Sequence, residues 1–323
     1  MSQTTLIGIA EENVLIQSGD CVVTVLPHLG GKIASIRIKG VELLQVPLAP
    51  LATRTRTMPF DASDASGWDE CLPSVAECAV STPVGPAQIP DHGDLWRVVW
   101  QSLAADATHV KLRAECFSLP LTLDRTIELT TSTEDDAEGW RLSLHYKLTN
   151  TGDVPVPWSW AAHPLFTAEP GDRIVLPDSI HSLRVEGSGA DRLGKAGDTV
   201  SWPIAELAAG GQTDLSLAQT PDSGIGDKLF TPRLSSEENW CALERHSAGF
   251  RIRVHFDSTA TPYLGLWICH GGWPDRPGSK QTCVALEPAT APVDSLAQTG
   301  PWSLLLAPGE SFSWPMNVVV EMI

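Results

Sequence analysis

Residues 140–149 read Trp-Arg-Leu-Ser-Leu-His-Tyr-Lys-Leu-Thr. Trp140, Leu142, Leu144, Tyr146 and Leu148 alternate with Arg141, Ser143, His145, Lys147 and Thr149. Successive side chains of a strand point to opposite faces, so this period of two sets one face on a core and the other in water. Phe250, Ile252, Val254 and Phe256 alternate with Arg251, Arg253 and His255 in the same way. Working outward, the same criteria predict strands over 21–26, 32–38, 41–46, 109–116, 121–130, 282–287 and 313–320. Lys39-Gly40 falls between two of them and reads as a tight hairpin turn.

Helical signals are sparse. No stretch of about a dozen residues carries a clean apolar face with caps. The 25 prolines recur too often for long helices, because proline removes a backbone donor and clashes with the preceding turn. Only short helical turns are expected, near 204–207 or 293–298. The glycine-rich segment 187–197 is the best linker candidate, yet strand patterning resumes after it, so it reads as a surface loop. A length of 323 residues would suit two domains on length alone. Strands spread from residue 21 to 320 argue instead for one large all-β antiparallel sandwich domain over 1–323.

Composition excludes several function classes. With 22 Lys+Arg against 39 Asp+Glu, the net charge is -17. That balance argues against nucleic acid and anionic membranes as general partners, since phosphate neutralisation needs clustered cations. No apolar run approaches the ~20 residues of a membrane span. Met1 to Glu12 has neither a basic start nor a long apolar stretch, so no secretory leader is expected there. The seven cysteines (21, 71, 78, 116, 241, 269 and 283) are odd in number and never spaced C-x-x-C. This pattern reads as reduced thiols in a cytoplasmic protein, with no disulfide framework. Cys269, His270 and Cys283 show no metal-ligand spacing, and no Gly-rich phosphate loop followed by Lys-Ser/Thr is present, so neither a metal nor a nucleotide cofactor is expected.

Four segments are richer in chemistry-bearing residues than turns and strands require. They are Gly67-Trp68-Asp69-Glu70-Cys71-Leu72-Pro73, Pro90-Asp91-His92-Gly93-Asp94-Leu95-Trp96-Arg97, Pro157 to Phe166, and Cys283-Val284-Ala285-Leu286-Glu287-Pro288. His163 and Glu287 each precede a proline, which biases both towards extended backbone. Along 282–288, Cys283, Ala285 and Glu287 share a face, so small residues flank Glu287 and leave room for a ligand. An ordinary surface glutamate would carry the same pattern. His163 lies among Trp158, Trp160, Leu165 and Phe166. It reads either as a hydrogen-bonded core histidine or as a proton donor, since an imidazole with a pKa of about 6.5 suits transfer near neutrality. His92 occupies a turn sequence and would by itself be a plain exposed histidine.

Taken together, these segments resemble the aldose 1-epimerases of the galactose-mutarotase-like superfamily. The likeness is carried by His92-Gly93, by Leu148-Thr149-Asn150-Thr151-Gly152 leading to Trp160-Ala161-Ala162-His163-Pro164-Leu165-Phe166, and by Leu286-Glu287-Pro288. It extends from Leu26-Pro27-His28-Leu29-Gly30-Gly31 to the closing turn Leu306-Ala307-Pro308-Gly309-Glu310. The resemblance implies a galactose mutarotase-like β-supersandwich with a cleft over one sheet. It implies Glu287 as catalytic base, His163 as catalytic acid, and His92 and Asp227 as sugar-binding residues, with no cofactor and a small-molecule sugar as partner.

The chain also departs from the family pattern. The histidine segment reads Ala161-Ala162-His163-Pro164-Leu165-Phe166 where the family has Thr-Asn-His-x-Tyr-Phe. In place of an early arginine motif stands Gly67-Trp68-Asp69-Glu70, with Arg54 and Arg56 the nearest basic residues. Asp69 and Glu70 are therefore candidate sugar contacts. Trp68, Trp96 and Trp273, three of 12 tryptophans, are candidate platforms, because an indole face suits the C–H face of a pyranose. Trp140, Trp267 and Trp314 sit in strand patterns and read as core. Two other functions compete with anomer interconversion. One is a non-catalytic carbohydrate-binding protein on the same scaffold. The other is a glycoside hydrolase pairing Glu287 with Asp69, Glu70 or Asp227, since hydrolysis generally uses two carboxylates.

Overall fold

A computed structural model describes residues 13–132 and 139–323. Antiparallel strands dominate it, in an eleven-stranded and an eight-stranded sheet with three small two-stranded ribbons. The eight-stranded sheet contains the alternating sequences. Gly139–Asn150 pairs along its length with Leu121–Ser132 on one side and Ser311–Met322 on the other, and Phe250–Phe256 pairs with Ser311–Met322. Leu142, Leu144, Tyr146 and Leu148 are buried, as the pattern predicts. The strands Cys21–Leu26 and Lys32–Ile38 also form as expected. Lys39 and Gly40 turn between Lys32–Ile38 and Val41–Glu42 with φ of 49° and 86°, the left-handed pair that a tight hairpin needs.

The eleven-stranded sheet contains Cys21–Leu26 and Lys32–Ile38, and others that alternation did not reveal, among them Trp68–Cys71, Ala161–Thr167 and Ile225–Phe230. Its central order is Lys32–Ile38, Trp68–Cys71, Ala161–Thr167, Thr282–Ala289, Tyr263–His270 and Ile225–Phe230. One face packs on the eight-stranded sheet, and the largest buried cluster, from Ile16 to Val320, draws on both sheets. Loops carrying Phe60, Asp91–His92, Trp273 and Asp294 cover the other face. Strands covered on both sides lose the polar half of the alternation.

Two local expectations change. Residues 204–206 form the strand Ile204–Glu206, not a helical turn. The 187–197 segment begins as the end of Ser182–Ser188 and continues into a 3-10 turn at Gly189–Asp191. Among the described residues, no helix is long and apolar enough to cross a membrane.

Candidate active site

Register across the eleven-stranded sheet assembles the site. Ala161 faces Ala289 and Leu165 faces Ala285, which sets His163 opposite Glu287. On its other side His163 faces Asp69, and Ile33 facing Trp68 sets Lys32 beside Asp69. Beyond Glu287 come Gly265 and then Phe230. Directly opposed antiparallel residues project from the same face. One row therefore carries Lys32, Asp69, His163, Glu287, Gly265 and Phe230 across six strands.

Gly265 lets the row make contacts across a strand. A Cβ there would lie 2.9 Å from Glu287 Oε2 and 3.1 Å from the Phe230 ring. Without it, the Glu287 side chain crosses Tyr263–His270 and reaches Lys228 of Ile225–Phe230, whose ammonium donates to Oε2. Lys228 Nζ also lies 3.5 Å from Asp294 Oδ1 and 5.3 Å from the centre of the Phe230 ring. The other oxygen, Glu287 Oε1, has no hydrogen-bond partner among the described residues and lies 3.7 Å from His163 Nε2. Glu287 is fully buried and His163 is 6% exposed.

Burial sets the charge state of this pair. It pushes the Glu287 carboxyl above its ordinary value, against the pull of Lys228. It pushes His163 well below the ordinary imidazole value, helped by the charges of His92, Lys228 and Lys32. Burial also opposes the charge on Lys228, but Asp294 and Glu287 more than offset it and its pKa is raised. Asp294 is raised by burial, in spite of Lys228. The side chains therefore favour a neutral His163, and the acid role implied by the resemblance needs a proton added to it.

His92 closes the site from above. It adopts φ of 58° and is followed by Gly93 at 68°. A Cβ on Gly93 would fall 2.2 Å from the Leu72 carbonyl oxygen, so only glycine lets this turn pack so closely. The His92 ring stacks on Phe60 at 3.7 Å and meets His163 edge-on at 5.2 Å. Its Nδ1 lies 3.0 Å from Asp91 Oδ2, which directs Nε2 away from that carboxylate. Arg97 fixes the turn by donating to the Asp91 and Gly93 carbonyls, and to Met58 of the neighbouring loop.

A cavity of about 160 Å³ opens here, walled by Phe60, Asp91, His92, His163, Lys228, Trp267, Trp273, Gln281 and Asp294 among others. That volume is smaller than the ~300–1,000 Å³ usual for small-molecule sites. Trp267 donates from Nε1 to Gln281 Oε1 at 2.9 Å, leaving an indole wall with its polar edge satisfied.

The structure gathers some of the expected site residues and not others. His163, Glu287 and His92 converge, and Trp273 lines the same cavity. Asp227 does not join them. It lies on the opposite face from Lys228, where Arg192 (2.5 Å) and Ser188 (2.7 Å) hold its carboxylate. Glu70 also faces away, into the space between the sheets, bound to Arg125 at 2.9 Å, Tyr146 at 3.0 Å and Trp160 at 2.9 Å. Trp68 is fully buried in the inter-sheet core. Asp69 lies in the row but below the cavity, its carboxylate engaged by Lys32 at 2.7 Å and Arg54 at 3.0 Å. Trp96 is a support behind the wall, edge-on to Phe60 at 5.2 Å, with Arg97 over its ring at 4.1 Å. Arg56 lies over Phe117 at 4.9 Å, at an adjoining depression.

Lys228, Asp294, Phe60, Gln281 and Trp267 were not singled out from sequence as site residues. Lys228 is one position from the residue that was chosen. No alternation in Ile225–Phe230 marks which face meets the cavity, because five of its six residues are buried.

Sheet order and register define the class as a large two-sheet antiparallel β-sandwich with its cleft over the eleven-stranded sheet. The Slr1438 protein of Synechocystis sp. PCC 6803 superposes with a TM-score of 0.70 at 16% identity, over 100% of both chains. An Escherichia coli K12 protein provisionally assigned as an aldose 1-epimerase gives 0.70 at 17% identity, covering 97% of this chain and 99% of its own. A galactose mutarotase related enzyme from Lactobacillus acidophilus gives 0.66 at 14% identity, over 97% and 100%. No family model matches the sequence, and no curated protein matches it significantly. The fold is thus that of the galactose mutarotase-like proteins.

Proposed function

We propose that the protein interconverts the anomers of a free sugar, with Glu287 as base and His163 as acid. The observation that carries this reading is the free oxygen of the buried Glu287 set 3.7 Å from Nε2 of His163, which lines the cavity. Glu287 Oε1 takes the proton of the C1 hydroxyl while His163 Nε2–H gives one to the ring oxygen. The C1–ring oxygen bond breaks, the aldehyde rotates, and closure with the two proton transfers reversed delivers the other anomer. Each positioned proton-transfer group contributes ~10²–10⁴-fold, and holding the ring over both adds to this.

The competent state carries one proton on the pair, placed on His163. Since His163 and Glu287 are in contact, protons leave as steps of the pair. Asp69, Glu70 and Asp227, the carboxylates considered as hydrolytic partners, are each held by lysine or arginine outside the cavity wall, which favours an epimerase over a glycoside hydrolase. The fold neighbours that carry epimerase or mutarotase names support the same class.

The test is exchange NMR on equilibrated aldoses, neutral and phosphorylated, with wild-type protein and Glu287→Gln. The reading expects at least one sugar whose anomers exchange faster with wild-type protein and lose that gain with Glu287→Gln. Binding by calorimetry with no rate gain for any sugar would instead identify a carbohydrate-binding protein.

A further inference from the structure

We propose that Lys228 is the positioning residue of this site: its ammonium holds Oε2 of Glu287 so that Oε1 faces His163 and the substrate, and it favours the carboxylate form of the base. The proposal rests on the anomer-exchange reading above. Two arrangements of the single proton have the same net charge, imidazolium with carboxylate or imidazole with carboxylic acid. Only the first has a base for the C1 hydroxyl and an acid for the ring oxygen. Burial of both residues favours the second, because the charged forms lose their hydration. Lys228 opposes this because it bonds Glu287 Oε2 directly, on the side away from His163.

The geometry is specific to this pairing. Lys228 reaches Glu287 only across the bare backbone of Gly265, and Asp294 at 3.5 Å holds it from the loop side. The remaining titratable groups around Glu287 are Cys71 on Trp68–Cys71, His163 on Ala161–Thr167, Cys283 on its own strand, and His92 and Asp294 from the loops. Cys71 and Cys283 are kept as neutral thiols by burial. Lys228 is thus the cation in direct contact with the base. It does not serve as an imine-forming nucleophile, since that requires a neutral amine and two carboxylates hold the ammonium charged.

The experiment compares wild-type protein, Lys228→Met and Lys228→Arg by the pH profile of kcat/KM for anomer exchange, and by carbon-13 NMR titration of the Glu287 carboxyl. Glu287→Gln assigns the resonance. Removing the cation makes both His163 and Glu287 easier to protonate. The Lys228→Met profile should therefore move to higher pH by about 1–3 units, and its maximum should fall about tenfold for each unit by which Glu287 rises more than His163. Lys228→Arg should stay near the wild-type position. Borohydride added with the sugar should leave no adduct on Lys228 by mass spectrometry.

A Lys228→Met profile that is lower but unshifted, or a trapped adduct, overturns the proposal while leaving the epimerase reading intact. If wild-type protein exchanges no sugar, that reading fails. The titration still decides whether Lys228 holds Glu287 ionised, and equal titration in both proteins rejects it. Should near-UV dichroism show Lys228→Met unfolded, Lys228→Gln takes its place with the same expected shift.

Discussion

The two sheets share one core, yet they show their residues to different surroundings. In the eight-stranded sheet Gly139–Asn150 places apolar side chains on the core and leaves His145 and Lys147 in water. In the eleven-stranded sheet, Ala161–Thr167 and Thr282–Ala289 are buried at every position but one end residue each. Charges such as Lys147 on the first sheet's outer face stay hydrated. A charge on the second sheet's outer face lies under loops, where its neighbours decide its protonation. The chemistry gathers on the second sheet for that reason.

The largest expected effect should fall on the covered face. Glu287→Gln should slow catalysed anomer exchange by about 10²–10⁴-fold with near-UV tryptophan dichroism unchanged; an active Glu287→Gln protein would remove the site from this sheet. The next lies between the sheets. Glu70→Ala strands the fully buried Arg125, together with Tyr146 Oη and Trp160 Nε1. Breaking such a pair costs ~3–5 kcal/mol, measurable by urea unfolding. A loss below ~1 kcal/mol would mean this inter-sheet contact does not couple the layers.

Acid should also weaken the ion pairs beneath the covered face. Burial would raise Asp64, but Lys32 and Arg54 hold its carboxyl far below the usual carboxylate range. A depressed carboxylate stabilises the fold above the unfolded pKa of about 3.9, and that contribution is lost as the pH falls below it. Asp64→Asn should therefore be less stable than wild type at neutral pH, and the gap should narrow on acidification below about pH 4. A gap independent of pH would contradict the assignment. Smallest of all should be the open face. Asp124 and Arg113 form an ion pair in water at 2.6 Å, and Asp124→Asn should change stability by less than ~1 kcal/mol. A larger loss would show that the two outer faces differ less than their exposure suggests.

The same contrast explains what the sequence disclosed. Strands with one wet face, such as Phe250–Phe256, were legible from alternation alone. Trp68–Cys71 and Ile225–Phe230 were not, because burial on both faces removes the polar signal. Residue type joined to the family resemblance picked out Glu287, His163 and His92; residue type alone left each open to an ordinary reading. It misplaced Glu70 and Asp227, whose acidic character serves arginine pairs on the inner face. Only register shows that Lys228 and Asp69 share the face of Glu287 while their chain neighbours do not.

The most direct measurement is the wild-type pH profile of kcat/KM for the sugar that exchanges fastest, which reports the protonation of the free protein. The account requires one proton on the His163–Glu287 pair, with His163 lowered by burial. It predicts a maximum on the acid side of neutrality, a fall as the pH rises above it, and a second fall in stronger acid as Glu287 is protonated. A catalysed rate that stays level from pH 5 to pH 8 would contradict it.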